Sequence, residues 1–325
     1  MSRALVIGGT LFMGRALVEQ LLARGDDVTI LHRGTGTPFG DRVREVHADR
    51  NDAQAVEKAL AAGGYDVVYD NVYDWQRRTT EAPVVAAARA VRDRARRYVF
   101  TSSVAVYPDG TDGDETAPLV PTDHPNPYAR DKAETERALF ALQHDGGPAV
   151  TTLRPAFIYG AHNPFDREAF FWDRILAGRP IIVPEDGTGT MQWVHAEDVA
   201  RAAVAAADAD VAIGRAYNLA GYPPVTHAGF VETLARVAGR EAQLVPVPRA
   251  RLHEAGGSLF GPPLYFGAYL DIPPITVRSD RVRDELGITL TPLEDGLRET
   301  FQWYRAQDRP APDFAWEDRV LATVR

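Results

Sequence analysis

The sequence contains no cysteine among its 325 residues. This absence excludes disulfide bonds, thiolate metal sites and a thiol nucleophile. The sequence also lacks an apolar run long enough to cross a bilayer. Its first residues, "MSRALVIGG", lead directly into a strand pattern and leave no room for a signal peptide. We therefore expect a cytoplasmic protein that has no membrane partner and no bound metal.

Positive charge is in deficit, because 36 lysine and arginine residues face 45 aspartate and glutamate residues, giving a formal net charge of −9. A field of this sign repels phosphate backbones and disfavours a nucleic-acid partner. The contents of 45% hydrophobic and 25% charged residues are those of an ordinary globular protein. The length allows two domains, or one doubly wound domain with an added lobe.

Strand and helix patterns alternate through the first half of the chain, from "RALVIGG" to "VTTLRPAFIYG". This alternation predicts an α/β fold with a Rossmann-type, doubly wound parallel sheet. The regular alternation ends after about residue 160, where helix patterns are mixed with short strand patterns. We expect a dinucleotide-binding domain over 1–160 and a smaller α/β substrate lobe over 161–325, with about 191–220 packing back onto the first domain. The Gly- and Pro-rich residues 256–274 read as an irregular segment.

A glycine turn follows the first predicted strand in "GGTLFMG", and its position before a helix indicates a phosphate-binding site. Gly8 permits a tight turn and Gly14 permits close packing of the helix on the strand, whereas Leu11 occupies the usual middle glycine position. The cofactor contacts expected from this turn are Gly8, Gly9, Thr10, Leu11, Phe12, Met13 and Gly14.

The second predicted strand ends in His32 and Arg33, where an NAD site usually has an acidic residue for the ribose 2′-hydroxyl. Arg33 would instead attract a 2′-phosphate. The cofactor is therefore expected to be NAD(P), with NADP preferred over NAD.

Three residues carry the predicted chemistry. Tyr128 and Lys132 in "NPYARDKAE" lie at i and i+4, on one helix face. The lysine ammonium favours the phenolate form of a tyrosine whose ordinary pKa is roughly 10. Ser103 ends the fifth predicted strand at the sheet edge where ligands bind. Its hydroxyl is placed to hold a substrate oxygen while Tyr128 gives or takes the proton.

These motifs resemble the extended short-chain dehydrogenase/reductases, also called the NAD-dependent epimerase/dehydratase family. "TSSVAVYP", "NPYARDK", "LRPAFIYG" and "QWVHAEDVARA" are similar to family motifs, and the resemblance covers nearly the whole chain. It implies that Ser103, Tyr128 and Lys132 are catalytic, that Asp49 bonds the adenine, and that Pro155 and Phe157 approach the nicotinamide. The further cofactor contacts expected are His32, Arg50, Asp70, Asn71, Thr101, Tyr128 and Lys132, of which Lys132 would bind the nicotinamide ribose.

The chain departs from the family pattern at several positions. Met191 and Gln192 stand where sugar-nucleotide enzymes usually carry Arg-Asp, and Arg278 is the candidate for a second phosphate-binding arginine. The expected substrate contacts are Val104, Phe157, His162, Asn163, Met191 and Arg278. Other stretches, including "GGTLFMG" and "YDVVYDN", look like a divergent branch that includes the chloroplast stem-loop-binding proteins, which associate with RNA. Retention of all three catalytic residues favours an enzyme.

Three functions remain open from the sequence. The first is epimerisation of a sugar or sugar nucleotide through a transient ketone, with Tyr128 as acid and base. The second is a stand-alone NADPH-dependent ketone reductase or dehydrogenase acting on a non-nucleotide substrate. The third is a non-catalytic cofactor-sensing or RNA-associated scaffold. The resemblance also implies a homodimer.

Overall fold

A seven-stranded parallel sheet forms the centre of the computed structural model, which describes residues 1–61, 63–257 and 272–323. The strand order is β12-β7-β5-β4-β1-β2-β3. The chain starts in the middle of the sheet, builds outward to β3 and then returns to build the other half from β4. This reversal leaves a crevice at the carboxyl ends of β1 and β4, where open α/β sheets bind ligands. The Rossmann-type fold is confirmed.

The strands are β1 (Arg3–Ile7), β2 (Asp27–His32), β3 (Arg44–His47), β4 (Val67–Asp70), β5 (Arg97–Thr101), β6 (Asp112–Gly113), β7 (Val150–Pro155), β8 (Phe157–Tyr159), β9 (Pro180–Pro184), β10 (Thr190–Met191), β11 (Trp193–His195), β12 (Arg215–Leu219), β13 (Val225–Thr226), β14 (Gln243–Val247) and β15 (Thr276–Val277). The α-helices are α1 (Phe12–Ala23), α2 (Ala53–Ala61), α3 (Glu81–Ala90), α4 (Pro127–His144), α5 (Arg167–Leu176), α6 (Ala196–Asp208), α7 (His227–Val237), α8 (Arg249–Glu254), α9 (Asp280–Leu286), α10 (Leu293–Arg305) and α11 (Ala315–Ala322).

Helices cover both faces of the central sheet because its strands are apolar on both sides. On one face α1 and α6 pack together through residues such as Leu17 and Val199. On the other face α2, α3 and α4 bury Val84, Leu139 and their neighbours. Strands buried on both faces read as continuous apolar runs, as the sequence predicts for β1 and β4.

A second core lies in the later part of the chain, around Trp172, Phe230 and Leu297. It joins α5, α7 and α10 with the short sheet of β9 and β14. Residues 196–219 leave this region, since α6 covers the main sheet and β12 pairs with β7 at its edge. Most of the predicted irregular segment, residues 258–271, lies outside the described residues. Within the part of the chain that the structure describes, no helix is long and apolar enough to cross a membrane.

Candidate active site

Two glycines shape the turn between β1 and α1. Gly8 has a φ of +84°, and a Cβ added there would lie 2.3 Å from the Val72 Cγ2 atom. A Cβ on Gly14 would lie 1.9 Å from the Gly8 carbonyl oxygen. Both positions therefore require glycine, for conformation in one case and for close packing in both. The turn directs the unpaired first amides of α1 toward the crevice, which is the arrangement that binds a pyrophosphate.

Leu11 replaces the usual middle glycine of this turn without strain. It is the N-cap of α1, with a φ of −130° that any residue can adopt, and its side chain is 63% exposed. The left-handed conformation falls on the next residue, Phe12, which has a φ of +49° and packs into the core beside α1. The backbone at Leu11 therefore keeps the geometry of a phosphate turn although its side chain is large.

An amide donor without a partner lies at the carboxyl edge of the sheet. The backbone N–H of Asn71 donates to the Ile7 carbonyl, and its side-chain oxygen accepts a 2.7 Å hydrogen bond from the Thr101 hydroxyl. The Asn71 Nδ2 group is buried and has no hydrogen-bond partner. A buried unpaired donor costs about 1–3 kcal/mol, and an oxygen of a bound dinucleotide would satisfy it. This group fits the predicted cofactor site.

Arginines and carboxylates alternate where the adenosine end of a dinucleotide is expected. Arg33 donates to Asp74 at 3.1 Å, and Arg77 donates to Asp74 and to Asp49, each at 2.7 Å. Hydrogen bonds from the Arg77 backbone and side chain help to lower the pKa of Asp74 to about 2. Arg77 likewise lowers the pKa of Asp49. Arg77 is therefore a second arginine beside Arg33 in this region, and nothing in the sequence indicates it.

His32 is held by contacts at both ring nitrogens. Its Nδ1 accepts a hydrogen bond from the Gly34 backbone N–H at 3.1 Å, and its Nε2 lies 2.7 Å from a Glu45 oxygen. Because Nδ1 is an acceptor, we assign the proton to Nε2, which donates it to Glu45. His47 completes a cluster of three groups with metal-ligand chemistry. The assigned tautomer places a hydrogen, and not a lone pair, between His32 and Glu45, which disfavours a metal there.

The structure gives Arg50 and Asp70, both predicted to contact cofactor, a different immediate role. Their side chains form a buried ion pair with an Arg50 Nε to Asp70 Oδ1 distance of 3.1 Å. Arg50 also donates to the Pro83 carbonyl at 2.7 Å, and the Tyr98 hydroxyl donates to Asp70 at 2.6 Å. These contacts join β4, β5 and α3 beneath the sheet edge. Sequence reasoning could not find the pair, because its members lie 20 residues apart, Asp70 at the end of β4 and Arg50 between β3 and α2.

Helix α4, which carries the predicted catalytic residues Tyr128 and Lys132, begins directly before Tyr128. Asn126 caps it by accepting a 3.0 Å hydrogen bond from the Tyr128 N–H, and Pro127 occupies the first turn. Both residues are typical of a helix N-terminus. Lys132, one turn later, donates a 2.7 Å hydrogen bond to the Thr101 carbonyl at the end of β5. The helix is therefore fastened to the strand two residues before Ser103.

Ser103 lies where β5 turns into a short 3-10 helix, Val104–Val106. Its hydroxyl oxygen accepts a hydrogen bond from the Ala105 N–H at 3.1 Å. This contact orients the oxygen and leaves the hydroxyl hydrogen to donate to a ligand. Ser103, Tyr128 and Lys132 are thus carried by adjoining ends of β5 and α4, as the sequence predicts.

Burial lowers the pKa of Lys132 to about 8, although the Asp70 carboxylate opposes the shift. The ammonium also lies 4.6 Å from the centre of the Phe100 ring, a cation–π contact. The lysine therefore stays largely protonated at neutral pH, and it carries its charge in a place with little water. A positive charge in such a place acts strongly on a neighbouring phenol.

Aromatic rings surround Tyr128 in a way the sequence analysis did not foresee. Trp75 stacks on it with ring centres 4.6 Å apart, and Tyr73 meets it edge to face at 4.8 Å. Phe165 meets the edge of Trp75 at 6.1 Å. The sequence shows the tryptophan in "YDNVYDW", directly after β4, but nothing local in this stretch indicates that its ring reaches Tyr128.

Two predicted substrate residues are occupied by internal contacts. Met191 is buried in the apolar core of the C-terminal lobe. Asn163 uses its oxygen to accept from the Phe165 N–H and its amide to donate to the buried Glu168. Phe157 lies 5.5 Å from the Trp193 ring, and the Arg278 side chain is exposed. Val104 begins the 3-10 helix next to Ser103.

His162 lies beside α1 and α10, in a cavity that Ser103, Tyr128 and Lys132 do not line. It has a φ of +61° and lines a cavity of about 150 Å³ together with Phe12, Arg15 and His195. Its ring packs against Trp303 at 5.1 Å, and burial lowers its pKa. The cavity lies behind the first turn of α1, so a substrate contact by His162 is not favoured by this position.

Comparison with known proteins identifies the family of this chain. A family model described as the NAD dependent epimerase/dehydratase family matches residues 4–220, about two thirds of the chain. The chain belongs to this family. It is accordingly an enzyme of the extended short-chain dehydrogenase/reductase type, and the family resemblance read from the sequence is confirmed.

Two of the curated relatives have names that describe different activities. The chain is 29% identical over 251 residues to "Chloroplast stem-loop binding protein of 41 kDa b, chloroplastic" of Arabidopsis thaliana, covering 73% of this chain but only 63% of that protein. It is 35% identical over 231 residues to a "3-diazoavenalumate denitrifying reductase" of Streptomyces sp, covering 64% of this chain and 73% of that protein.

A solved structure of the same fold is the UDP-glucose 4-epimerase of Thermus thermophilus in complex with NAD. It has a TM-score of 0.73 and 24% sequence identity, and the match covers 94% of this chain and 99% of that chain. At this identity the likeness shows the fold alone. The family is NAD-dependent, so the cofactor class expected from the glycine turn agrees with the family assignment.

Proposed function

We propose that this enzyme transfers hydride between NAD(P) and the carbon of a ketone or secondary alcohol, with Tyr128 as acid and base. The observation that carries the proposal is the Lys132 hydrogen bond to the Thr101 carbonyl, 2.7 Å long. It fastens the helix that carries Tyr128 to the strand end that carries Ser103. A proton donor, a charge that acidifies it and a second hydroxyl therefore adjoin the crevice at the sheet edge.

In the direction of reduction, the nicotinamide supplies the hydride to the carbonyl carbon when it is bound. Tyr128 gives its hydroxyl proton to the carbonyl oxygen, so the product is a secondary alcohol. Ser103 donates a hydrogen bond to the same oxygen and stabilises the charge that develops on it. Lys132 favours the tyrosinate that remains, through its positive charge. Oxidation of an alcohol reverses each of these transfers.

NADP is the proposed cofactor in preference to NAD. Arg33 and Arg77 both lie around Asp74, with exposed fractions of 55% and 48% for their side chains. A 2′-phosphate offers oxygens to two arginines at once, and such charge-assisted hydrogen bonds are the strong ones. Until a cofactor binds, Asp74 accepts hydrogen bonds from both guanidinium groups and partly neutralises their charge.

Reduction of a ketone by a stand-alone enzyme is favoured over epimerisation by the packing of Gln192. Its amide donates to the Gly221 and Val277 carbonyls and accepts from the Val277 N–H at 2.8 Å. Met191 beside it is buried. This place, where related sugar-nucleotide enzymes are expected to carry an Arg-Asp pair, is therefore used for internal structure and offers no charge to a diphosphate. The Streptomyces relative is named as a reductase.

Epimerisation of a sugar nucleotide is the second candidate. It is supported by family membership, because the matching model is described as the NAD dependent epimerase/dehydratase family. The same residues would serve it, since an epimerase removes hydride and returns it to the same carbon. The two candidates differ in the fate of the cofactor, which an epimerase keeps and a reductase exchanges.

The test is to identify nucleotide released from freshly purified protein and then to follow NADPH absorbance with a panel of ketones. A reductase is isolated largely empty and consumes one NADPH for each alcohol formed. An epimerase holds NAD(H) in stoichiometric amount and interconverts UDP-glucose and UDP-galactose without net consumption. If neither nucleotide binds, the proposal is wrong and a scaffold role takes its place.

Tyr128→Phe gives a second test of the chemical step. It should lower kcat by roughly 10²–10⁴-fold while leaving the Kd for NADPH within a few-fold, because only the proton transfer is removed. Tyr304→Phe is the matched control, since it removes a hydroxyl that bonds Asp173 on α5, away from the sheet edge. An unchanged kcat in Tyr128→Phe would contradict the role of Tyr128 as acid and base, whereas the RNA-associated scaffold predicts no ketone turnover in the wild type.

A further inference from the structure

The loop between β4 and α3, residues 71–80, places an indole ring over the catalytic tyrosine. Trp75 stacks on the Tyr128 ring at 4.6 Å with an angle of 28° between the ring planes. The tryptophan is 46% exposed, which is a large exposed apolar surface for one side chain. Its other edge meets Phe165 from the loop before α5 at 6.1 Å. We name the rings of Trp75, Phe165 and Tyr73 the aromatic wall.

The aromatic wall is a built feature, because its loop is fastened to the catalytic helix itself. Asp131, between Tyr128 and Lys132 on α4, accepts hydrogen bonds of 2.8 Å from the Tyr73 hydroxyl and from Arg78 Nε. The Asp131 carboxylate is 1% exposed. Arg78 adopts a left-handed φ of +63°, a conformation that costs energy and persists only where surrounding contacts impose it.

The loop is also closed on itself around Asp74. The Asp74 carboxylate accepts 3.0 Å hydrogen bonds from the backbone N–H groups of Gln76 and Arg77, and the Asp74 N–H donates to the Thr79 hydroxyl at 3.0 Å. These bonds form a tight turn with Trp75 at its tip. Trp75 therefore has its position imposed from both sides, and a ligand meets a ring that is already in place.

We propose that the aromatic wall selects a planar aromatic or conjugated ketone as substrate, with Trp75 as the specificity-determining residue. This inference rests on the proposed reductase function and names its substrate class. A ring attached directly to the carbonyl would pack against the indole, while the carbonyl oxygen reaches the hydroxyls of Ser103 and Tyr128. Aromatic pairs of this kind favour offset-stacked or edge-to-face contacts. The transfer is balanced: one hydride from NAD(P)H and one proton from Tyr128 convert the ketone to a secondary alcohol.

The buried neighbours support an apolar substrate over a charged one. Gln192 has its amide bonded internally, and Met191 is part of the apolar core. Cations near the wall have internal partners. Arg78 donates to Asp131 and Lys132 donates to the Thr101 carbonyl. Arg167, which lies 5.4 Å from the Phe165 ring centre, donates to the Ile158 carbonyl. A diphosphate brought against these rings would lose water without gaining a charge partner from them.

The experiment compares acetophenone with cyclohexyl methyl ketone, which match in size but differ in planarity. The wild-type enzyme should reduce acetophenone with a kcat/KM about tenfold higher, mainly through KM. Trp75→Ala should bring the ratio of the two kcat/KM values close to one, and Trp75→Phe should restore most of it. The Kd for NADPH, measured by calorimetry, serves to show that each variant retains its cofactor site.

A binding measurement separates this inference from the reductase function. Titration of acetophenone into the NADP⁺ complex, which has no hydride to transfer, should change tryptophan fluorescence in the wild type and much less in Trp75→Phe. Equal kcat/KM ratios in the wild type and Trp75→Ala overturn the role of Trp75, although ketone reduction itself would stand. A wild-type preference for UDP-glucose over every ketone overturns the substrate class. Loss of ketone reduction altogether in the wild type counts against the proposed function instead.

Discussion

Lys132 donates a hydrogen bond of 2.7 Å to the carbonyl oxygen of Thr101, and this bond joins helix α4 to the central sheet. The lysine thus has a structural contact in addition to its charge. Because the ammonium is buried, its protonation is linked to folding as well as to chemistry. Lys132 can therefore be examined both by the pH dependence of stability and by the pH dependence of activity.

The unfolding free energy of the cofactor-free protein should rise with pH above about 8 through Lys132. Its pKa is lowered to about 8 in the folded state by burial and is 10.5 as the ordinary value. Between these values the unfolded chain binds the proton that the folded protein has released, so stability increases with pH. Urea unfolding at pH 8 and pH 10 should show a gain of about 2 kcal/mol relative to Lys132→Met, at about 1.4 kcal/mol per pH unit. A parallel pH profile for the two proteins would contradict the lowered pKa.

Removal of the carboxylate between Arg33 and Arg77 should strengthen NADPH binding. In Asp74→Asn, Arg33 loses its anionic partner and Arg77 keeps only Asp49, so both guanidinium groups have more charge to offer a 2′-phosphate. The Kd for NADPH should fall by several-fold, whereas that for NADH should change little. Arg33→Ala should raise the Kd for NADPH by roughly tenfold, as expected for one charge-assisted hydrogen bond. Calorimetric titration of both nucleotides gives these values, and equal effects on NADH and NADPH would contradict the 2′-phosphate assignment.

The two ends of the glycine turn should respond very differently to substitution. Gly14→Ala places a Cβ 1.9 Å from the Gly8 carbonyl oxygen, so the backbone must shift, and we expect a loss of about 3 kcal/mol or more. Leu11→Ala changes an exposed side chain in an unstrained conformation and should alter stability by less than about 0.5 kcal/mol. Thermal unfolding of the two variants against the wild type is the measurement. Similar midpoints for Gly14→Ala and the wild type would show that the turn is not packed as described.

Glu168 should make the protein less stable as pH rises from about 4.5 to about 7. Burial raises its pKa to about 7, so the folded protein holds a proton there that the unfolded chain releases. Stability from the protonated form is complete below pH 4.5 and is lost as pH rises through 7, by about 3 kcal/mol in total. Glu168→Gln keeps an oxygen for the Asn163 amide and removes the ionisation. The free energy of unfolding of Glu168→Gln, relative to that of the wild type, should therefore increase between pH 5 and pH 8. Denaturant unfolding of both proteins measures it.

Most of the sheet could be predicted because its signal is local. Buried parallel strands such as β1 and β4 are short continuous apolar runs, and α4 begins with an Asn-Pro pair that favours a helix start. The i, i+4 spacing of Tyr128 and Lys132 likewise fixes a common helix face without any knowledge of the rest of the fold.

The aromatic wall could not be predicted, because its geometry depends on distant contacts. Arg78 and Asp131 are 53 residues apart, and their ion pair sets the path of the loop that carries Trp75. Arg50 and Asp70 were interpreted from family position as cofactor contacts, whereas the structure pairs them with each other. Both side chains are buried, and this burial becomes visible only in the folded structure.

The last strand of the central sheet, β12, reaches its place only after the chain has passed through the second core. A protein cut after Gly160 would therefore end with β7 open along one edge, and α1 would lose the helix that covers it. Open strand edges and uncovered apolar helices promote aggregation. The two halves of this enzyme are thus interlaced, and neither half is a portable module that can be excised at a single cut or exchanged between relatives.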